Sequence, residues 1–368
     1  MSSDTSRNAL VVIAVVAGGA ALYWLRDILT PLALAAFLLI MIDGLARLIS
    51  RFAPKAPVWL PLTGAIGVIV LTFMVSLWVM VNGGRSFVGE MSGMHARANV
   101  IIADIAGRLH LGVAPSLDEM LTHLDPQKYA GPMLNGMQGI VSSAFFVLIY
   151  LGFLIASRSA FGKKIVALFP TRGERGEAKR IFDRIREGVE SYVWVQTVLG
   201  LLIAVLAWAV MEAVGLNNAL FWAFVIFVTG YIPIVGGAIA VVAPPLFLLV
   251  EPDSQLWKAG VLFVALEVIL FVVGNVLLPR MQAKSMNIDP VVVLLSLAFW
   301  GALWGLTGAF LSTPLTVIVM AVLAEFKGSR WIAVLLSGDG KPYPMEDQGS
   351  ESPPPPKKPR RRRAPAAA

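Results

Sequence analysis

Apolar residues in this chain fall into long continuous runs rather than strand-like alternations. They cover about 9–25, 28–42, 58–82, 137–157, 191–214, 218–250, 259–279 and 290–326. A run of roughly 18–20 apolar residues is long enough to cross a bilayer as a helix. The second run is shorter, but an amphipathic stretch at 45–52 extends it. The pattern predicts an all-α polytopic integral membrane protein with about six full transmembrane helices. The runs at 218–250 and 290–326 exceed one crossing and are interrupted at mid-length. One reads GYIPIVGGAIAVVAPPL from Gly230 to Leu246, the other GALWGLTGAFLSTPL from Gly301 to Leu315. In both, Gly is followed nine residues later by Pro and then Leu: Gly236, Pro245, Leu246 and Gly305, Pro314, Leu315. These runs are expected to form two Gly/Pro-broken helical hairpins. Broken backbone at membrane depth must be buried in protein or line a wet cavity. Paired breaks in a membrane protein therefore point to a transport site.

Polar segments set the topology. Residues 158–190 carry nine basic residues, from Arg158 to Arg186. Loop 43–57 carries Arg47, Arg51 and Lys55, and loop 280–289 carries Arg280 and Lys284. Basic loops stay cytoplasmic. A cytoplasmic N-terminus satisfies all of them, provided each broken run returns the chain to the side it left. The first broken run is then entered from outside and the second from inside, so the two hairpins have opposite orientation. The transmembrane domain is expected at 1–336. It includes an extracytoplasmic segment at 83–136, where Ser116 and Glu119 form a capping box, and a cytoplasmic basic loop at 158–190. In that loop Ile181, Ile185 and Val189 fall at helical spacing. Residues 337–368 are expected as a disordered basic cytoplasmic tail.

Composition narrows the chemistry. Only 14% of residues are charged, too few for the surface of a soluble protein of this size. With no cysteine, thiol nucleophiles, disulfides and cysteine metal sites are excluded. The histidines, His95, His110 and His123, share one polar stretch without metal-site spacing, so no metal or other cofactor is expected. The tail's Lys357, Lys358 and Arg360 to Arg363 suit anionic lipid headgroups better than nucleic acid. No catalytic constellation is visible, and the chain is not expected to be an enzyme.

Glu267 lies midway along 259–279, and an ionisable group at that depth is a candidate for binding a cation or proton. Its alternative is a protonated carboxyl hydrogen-bonded to a neighbouring helix. Glu212 lies near the outer end of its span. Gln196, Thr229, Tyr231, Asn275, Ser312, Thr313 and Thr316 are polar and uncharged, near or between the breaks. They suit a neutral polyol or carbonyl ligand, and they serve equally as interhelical hydrogen bonds.

Certain stretches carry a resemblance: Tyr192 to Gln196, Tyr231-Ile232-Pro233-Ile234-Val235-Gly236-Gly237, Gly274 to Pro279, Asp289 to Leu295, and Gly301 through Pro314 with Gly305 and Gly308. In order and spacing this resembles the autoinducer-2 exporter family of bacterial multi-pass transporters, over about residues 10–336. The resemblance implies an inner-membrane homo-oligomer, a pentamer among the candidates, that moves a small polar solute outward. It also places Gln196, Pro233, Gly236, Asn275, Pro279, Pro290, Gly305 and Pro314 on family motif positions. One departure concerns specificity. Many members carry Gln and Glu just before the Gly274-Asn275 pair, where this chain has Leu270, Phe271 and Val273. The expected solute or ion pathway is Gln196, Tyr231, Pro233, Gly236, Gly237, Glu267, Asn275, Pro279, Gly305, Gly308 and Pro314. The alternatives are a monovalent cation–proton antiporter using Glu267, and a membrane scaffold that transports nothing.

Overall fold

The computed structural model describes residues 16–55, 59–108, 144–157, 171–251, 255–282, 288–326 and 328–341, with isolated positions between them. Every regular element among the described residues is helical. They are α1 (Arg26–Phe52), α2 (Leu60–Arg108), α3 (Ala144–Ser157) and α4 (Arg172–Val214). Then come α5 (Ala219–Thr229), α6 (Val235–Val250), α7 (Leu256–Val272), a π turn at Val273–Leu277 and α8 (Leu278–Gln282). The last two are α9 (Pro290–Glu325) and α10 (Arg330–Leu336). Among the described residues, five stretches are by length and composition apolar enough to cross a membrane: Arg26–Phe52, Leu60–Ser86, Ala178–Val214, Leu256–Met281 and Pro290–Glu325. The chain is an all-α polytopic membrane protein.

The helices outrun their apolar runs. α2 has 49 residues and passes without a break through 83–108, which the polar pattern assigns to an extracytoplasmic segment. α4 has 43 residues and joins the amphipathic stretch of Ile181, Ile185 and Val189 directly to the apolar run. A helical backbone bonds to itself, so a change of side-chain polarity does not end it. The capping box at Ser116 and the tail beyond 341 lie outside the described residues.

α4 is the spine. It ends in a Schellman motif: Gly215 has φ +83°, Gly215 N–H donates to Glu212 O (3.1 Å), and Leu216 N–H to Met211 O (2.9 Å). Leu216 and Met211 pack in one core cluster, the apolar contact that accompanies this cap. The chain is thereby turned back along α4 as a hairpin of α5 and α6. Glu251, buried at the end of α6, accepts from Asn217 N–H (2.9 Å) and clips the base of that hairpin. Its arms have 11 and 16 residues, roughly 16 and 24 Å at 1.5 Å per residue, so neither alone spans a core of about 30 Å.

α9 is a second hairpin. Asp289 caps it by accepting from Val291 N–H (2.8 Å), with Pro290 in the first turn. At Gly305 the backbone leaves the helix with φ +64° and ψ −142°, a region open essentially to glycine alone. The arms, 290–304 and 306–325, fold together. A Cβ at Gly308 would lie 1.9 Å from Trp300 O, and Trp300 Nε1 donates to Thr316 Oγ1 (3.3 Å).

The two hairpins run in opposite directions along α4. On the first, Gly230 and Tyr231 at the tip bond to Gln196 and Tyr192, whereas Leu216 and Trp222 near the base cluster with Met211. On the second, Glu325 at the base pairs with Arg184 (2.6 Å), Val317 packs on Gly188, and Leu311 reaches Val189 and Tyr192. Moving from residue 184 to 211 of α4 therefore follows the second hairpin away from its base and the first toward its base. They pass each other where the Tyr231 and Phe310 rings lie 5.2 Å apart.

Candidate functional site

The site begins with the turn between α5 and α6. Gly230 N–H still bonds to Ile226 O (2.9 Å), and Ile232 N–H to Thr229 O (2.8 Å). Val235 N–H then donates to Pro233 O (2.7 Å), closing a three-residue turn around Ile234. Ile234 has φ +66° and ψ −51°, the strained hand of the γ-turn, in which a β-branched residue is a rare outlier. Gly236 follows because nothing larger fits: a Cβ there would lie 2.2 Å from Thr229 O. The hairpin thus needs strain at Ile234 and an absent side chain at Gly236.

Three hydrogen bonds hold this tip against α4. Gln196 Nε2 donates to Gly230 O (2.7 Å) and Tyr192 OH to Tyr231 O (3.3 Å). The Thr197 and Tyr231 hydroxyls share a bond of 2.7 Å. Carbonyls that a broken helix leaves unpaired are costly in a membrane, and these side chains satisfy two of them.

Behind the tip is a cavity of about 510 Å³. α4 supplies Tyr192, Gln196 and Gly200, the first hairpin supplies Tyr231, Pro233, Ile234, Gly236 and Gly237, and the α7–α8 stretch supplies Leu270, Val273 and Gly274. The second hairpin adds Pro290, Val293 and Thr313. Among the described residues, no charged side chain lines it. A mostly apolar cavity with a few convergent uncharged polar groups can orient a small neutral solute. A shallower groove of about 360 Å³ between α6 and α7 is lined by apolar residues alone and offers nothing to orient one.

The expected pathway residues divide. Gln196, Tyr231, Pro233, Gly236 and Gly237 line the cavity together. Glu267 does not: its side chain is on an exposed face of α7. Asn275, within the π turn, donates to Phe271 O (3.0 Å) and is exposed. Its neighbours Gly274 and Leu278 take the wall instead. Pro279 sits just after the π turn and lacks the N–H that an α-helix would direct to the Asn275 carbonyl. Gly305, Gly308 and Pro314 shape the second hairpin without lining the cavity. The shared Gly–Pro–Leu offset pairs Gly236 with Gly305, but their roles differ. Gly236 matches Gly308, each tucked under a carbonyl of the preceding arm, and the turning residues are Ile234 and Gly305. Ile234 gave no signal as a turn residue because isoleucine ordinarily marks regular structure. Pro244, Pro245 and Pro314 do not break their helices.

The sequence profile of the AI-2E family transporters matches residues 12–328. The chain belongs to the AI-2E transporter family. YhhT of Escherichia coli (strain K12) is 28% identical over 323 residues, 86% of this chain and 89% of that protein. The AI-2 transport protein TqsA of the same strain is 26% identical over 322 residues, 84% and 90% of the two chains. A Haemophilus influenzae protein (strain ATCC 51907 / DSM 11121 / KW20 / Rd) is 26% identical over 340 residues, 90% and 96%. Within this AI-2E chain Leu270 and Val273 are on the cavity wall, whereas Phe271 is exposed.

Proposed function

We propose that this AI-2E transporter is a bacterial inner-membrane secondary transporter that exports a small uncharged polar solute, like autoinducer-2. The solute binds in the cavity between α4 and the two hairpins, and relative movement of the hairpins exposes it to each side in turn. The observation that carries this reading is the cavity itself. It sits where two oppositely directed broken helices meet, the arrangement transporters use for a midplane site. Its described lining combines Gln196, Tyr192, Tyr231 and Thr313 with no charged side chain. The short arms of the first hairpin suit a re-entrant element that enters and leaves on one face. TqsA's name attaches AI-2 to a relative of similar length, which supports the choice of solute class. Cytoplasmic termini follow from the basic loops, and homo-oligomerisation from the family.

Glu267 lies outside the cavity, so this cavity does not support cation–proton antiport through it. Purified protein in liposomes tests the assignment. Flux of a labelled furanone diol is expected to saturate with concentration, and Glu267→Gln is expected to leave it within about twofold of wild type, since it removes no cavity contact. Sodium-driven proton flux that Glu267→Gln abolishes, without diol flux, overturns the assignment in favour of antiport.

A further inference from the structure

The polar bonds that fix the tip of the first hairpin all run to α4. From the second hairpin the cavity receives one hydroxyl, that of Thr313. Thr313 is 3% exposed, and its Oγ1 has no hydrogen-bond partner. Helix hydroxyls around it behave otherwise. Ser312 Oγ donates to Ala309 O (2.8 Å) and Thr316 Oγ1 to Ser312 O (2.8 Å), and on α4 and α5 Thr197 and Thr229 bond back to Val193 O and Val225 O (2.7 Å each). The Tyr192 hydroxyl is close to Thr313 and its oxygen offers a weak, poorly aligned acceptor; the Tyr192 proton goes to Tyr231 O (3.3 Å), and Thr313 Oγ1 makes no bond of full hydrogen-bond geometry. A buried hydroxyl without a partner is costly, and such groups mark places where a ligand or water completes the set.

We propose that Thr313 is a ligand-binding residue, and that its hydroxyl bonds to a hydroxyl or carbonyl group of an uncharged solute in the cavity. This rests on the transport reading for the cavity's purpose, not for its chemistry. Thr313 is the hydroxyl the second hairpin presents, whereas Gln196, Tyr192 and Tyr231 belong to α4 and the first hairpin. A solute bonded to both sets therefore ties the two oppositely directed hairpins together. Occupancy then changes how the hairpins move relative to each other, which a solute held by one hairpin alone could not do. A hydroxyl both donates and accepts, so this position takes either group. Among the described residues the wall carries no charged side chain, so an ion finds no countercharge there to offset the water it leaves.

The test is binding rather than flux. The full-length protein in detergent is titrated with a furanone diol, and affinity is read from the ligand-dependent rise in melting temperature. Thr313→Val keeps the shape and removes the hydroxyl; Thr313→Ser keeps the hydroxyl. Loss of one hydrogen bond is expected to weaken apparent affinity about tenfold in Thr313→Val. Thr313→Ser should stay close to wild type. Without ligand, Thr313→Val should melt at or above the wild-type temperature, because an unpaired buried hydroxyl is gone. Equal affinity of wild type and Thr313→Val, or no binding by wild type, overturns the proposal. Binding that depends on Thr313 with no flux in liposomes leaves it standing and contradicts the transport reading instead.

Discussion

At residue scale the site depends on two kinds of local demand. Ile234 must hold φ +66°, and Gly236 must present no side chain to Thr229 O. The first is strain that a glycine would relieve. Ile234 is 59% exposed, so replacing it removes little packing. Strain of about 1–3 kcal/mol at such a backbone outweighs the roughly 0.5–1 kcal/mol entropic penalty of glycine. Ile234→Gly is therefore expected to melt at or slightly above the wild-type temperature. Ile232→Gly, two residues earlier and buried, should melt clearly lower. An equal loss in both variants, measured by thermal unfolding in detergent, contradicts strain at Ile234. The glycines show why the site was only partly legible in the sequence. A glycine marks either a left-handed backbone or a close approach, and the letter does not say which. Gly236 reads like a hinge but serves as a contact; Gly305 reads the same way and is a hinge.

The elements themselves were largely legible, because a helix in lipid needs a long apolar run and little else. Their ends were less so. α2 and α4 continue past their apolar runs, since nothing polar in 83–108 or 172–190 disturbs helical bonding. What the runs also could not show is how elements are tied across space. Around the N-terminal half of α4, Arg47 pairs with Glu190, Arg186 with Glu190 (2.9 Å) and with Asp43 (3.7 Å), and Arg184 with Glu325 (2.6 Å). These pairs join α1, α4 and the base of the second hairpin, while the first hairpin is held by apolar packing with α4 and α7 and by hydrogen bonds from α4 at its tip. In lipid that packing acts through close contact rather than release of water. The Arg184–Glu325 pair is partly exposed, so its worth is modest, about 0.5–1 kcal/mol. Arg184→Glu places two acids together and should lower the melting temperature. The double variant Arg184→Glu, Glu325→Arg should recover most of that loss. Failure of the swap to recover stability argues that the pair does not hold the hairpin base.

The whole molecule is two hairpins passing each other beside α4, with a neutral cavity where they meet. Basic loops predicted the opposite orientation of the broken runs, and the contacts along α4 run in opposite senses. Hydropathy carried no information about which polar residues would converge. Gln196, Tyr231, Pro233, Gly236 and Gly237 do, whereas Glu267 and Asn275 face away, because helical phase decides which side of α7 and its π turn meets the cavity. The central claim, that solute passes through this cavity by movement of intact hairpins, is tested most directly by flux of a labelled furanone diol into or out of liposomes. Wild type is compared with Gly236→Leu and Gly305→Leu, all reaching the membrane at equal levels. Saturable wild-type flux and its loss in both variants is the predicted result. Wild-type rates in both variants contradict the account.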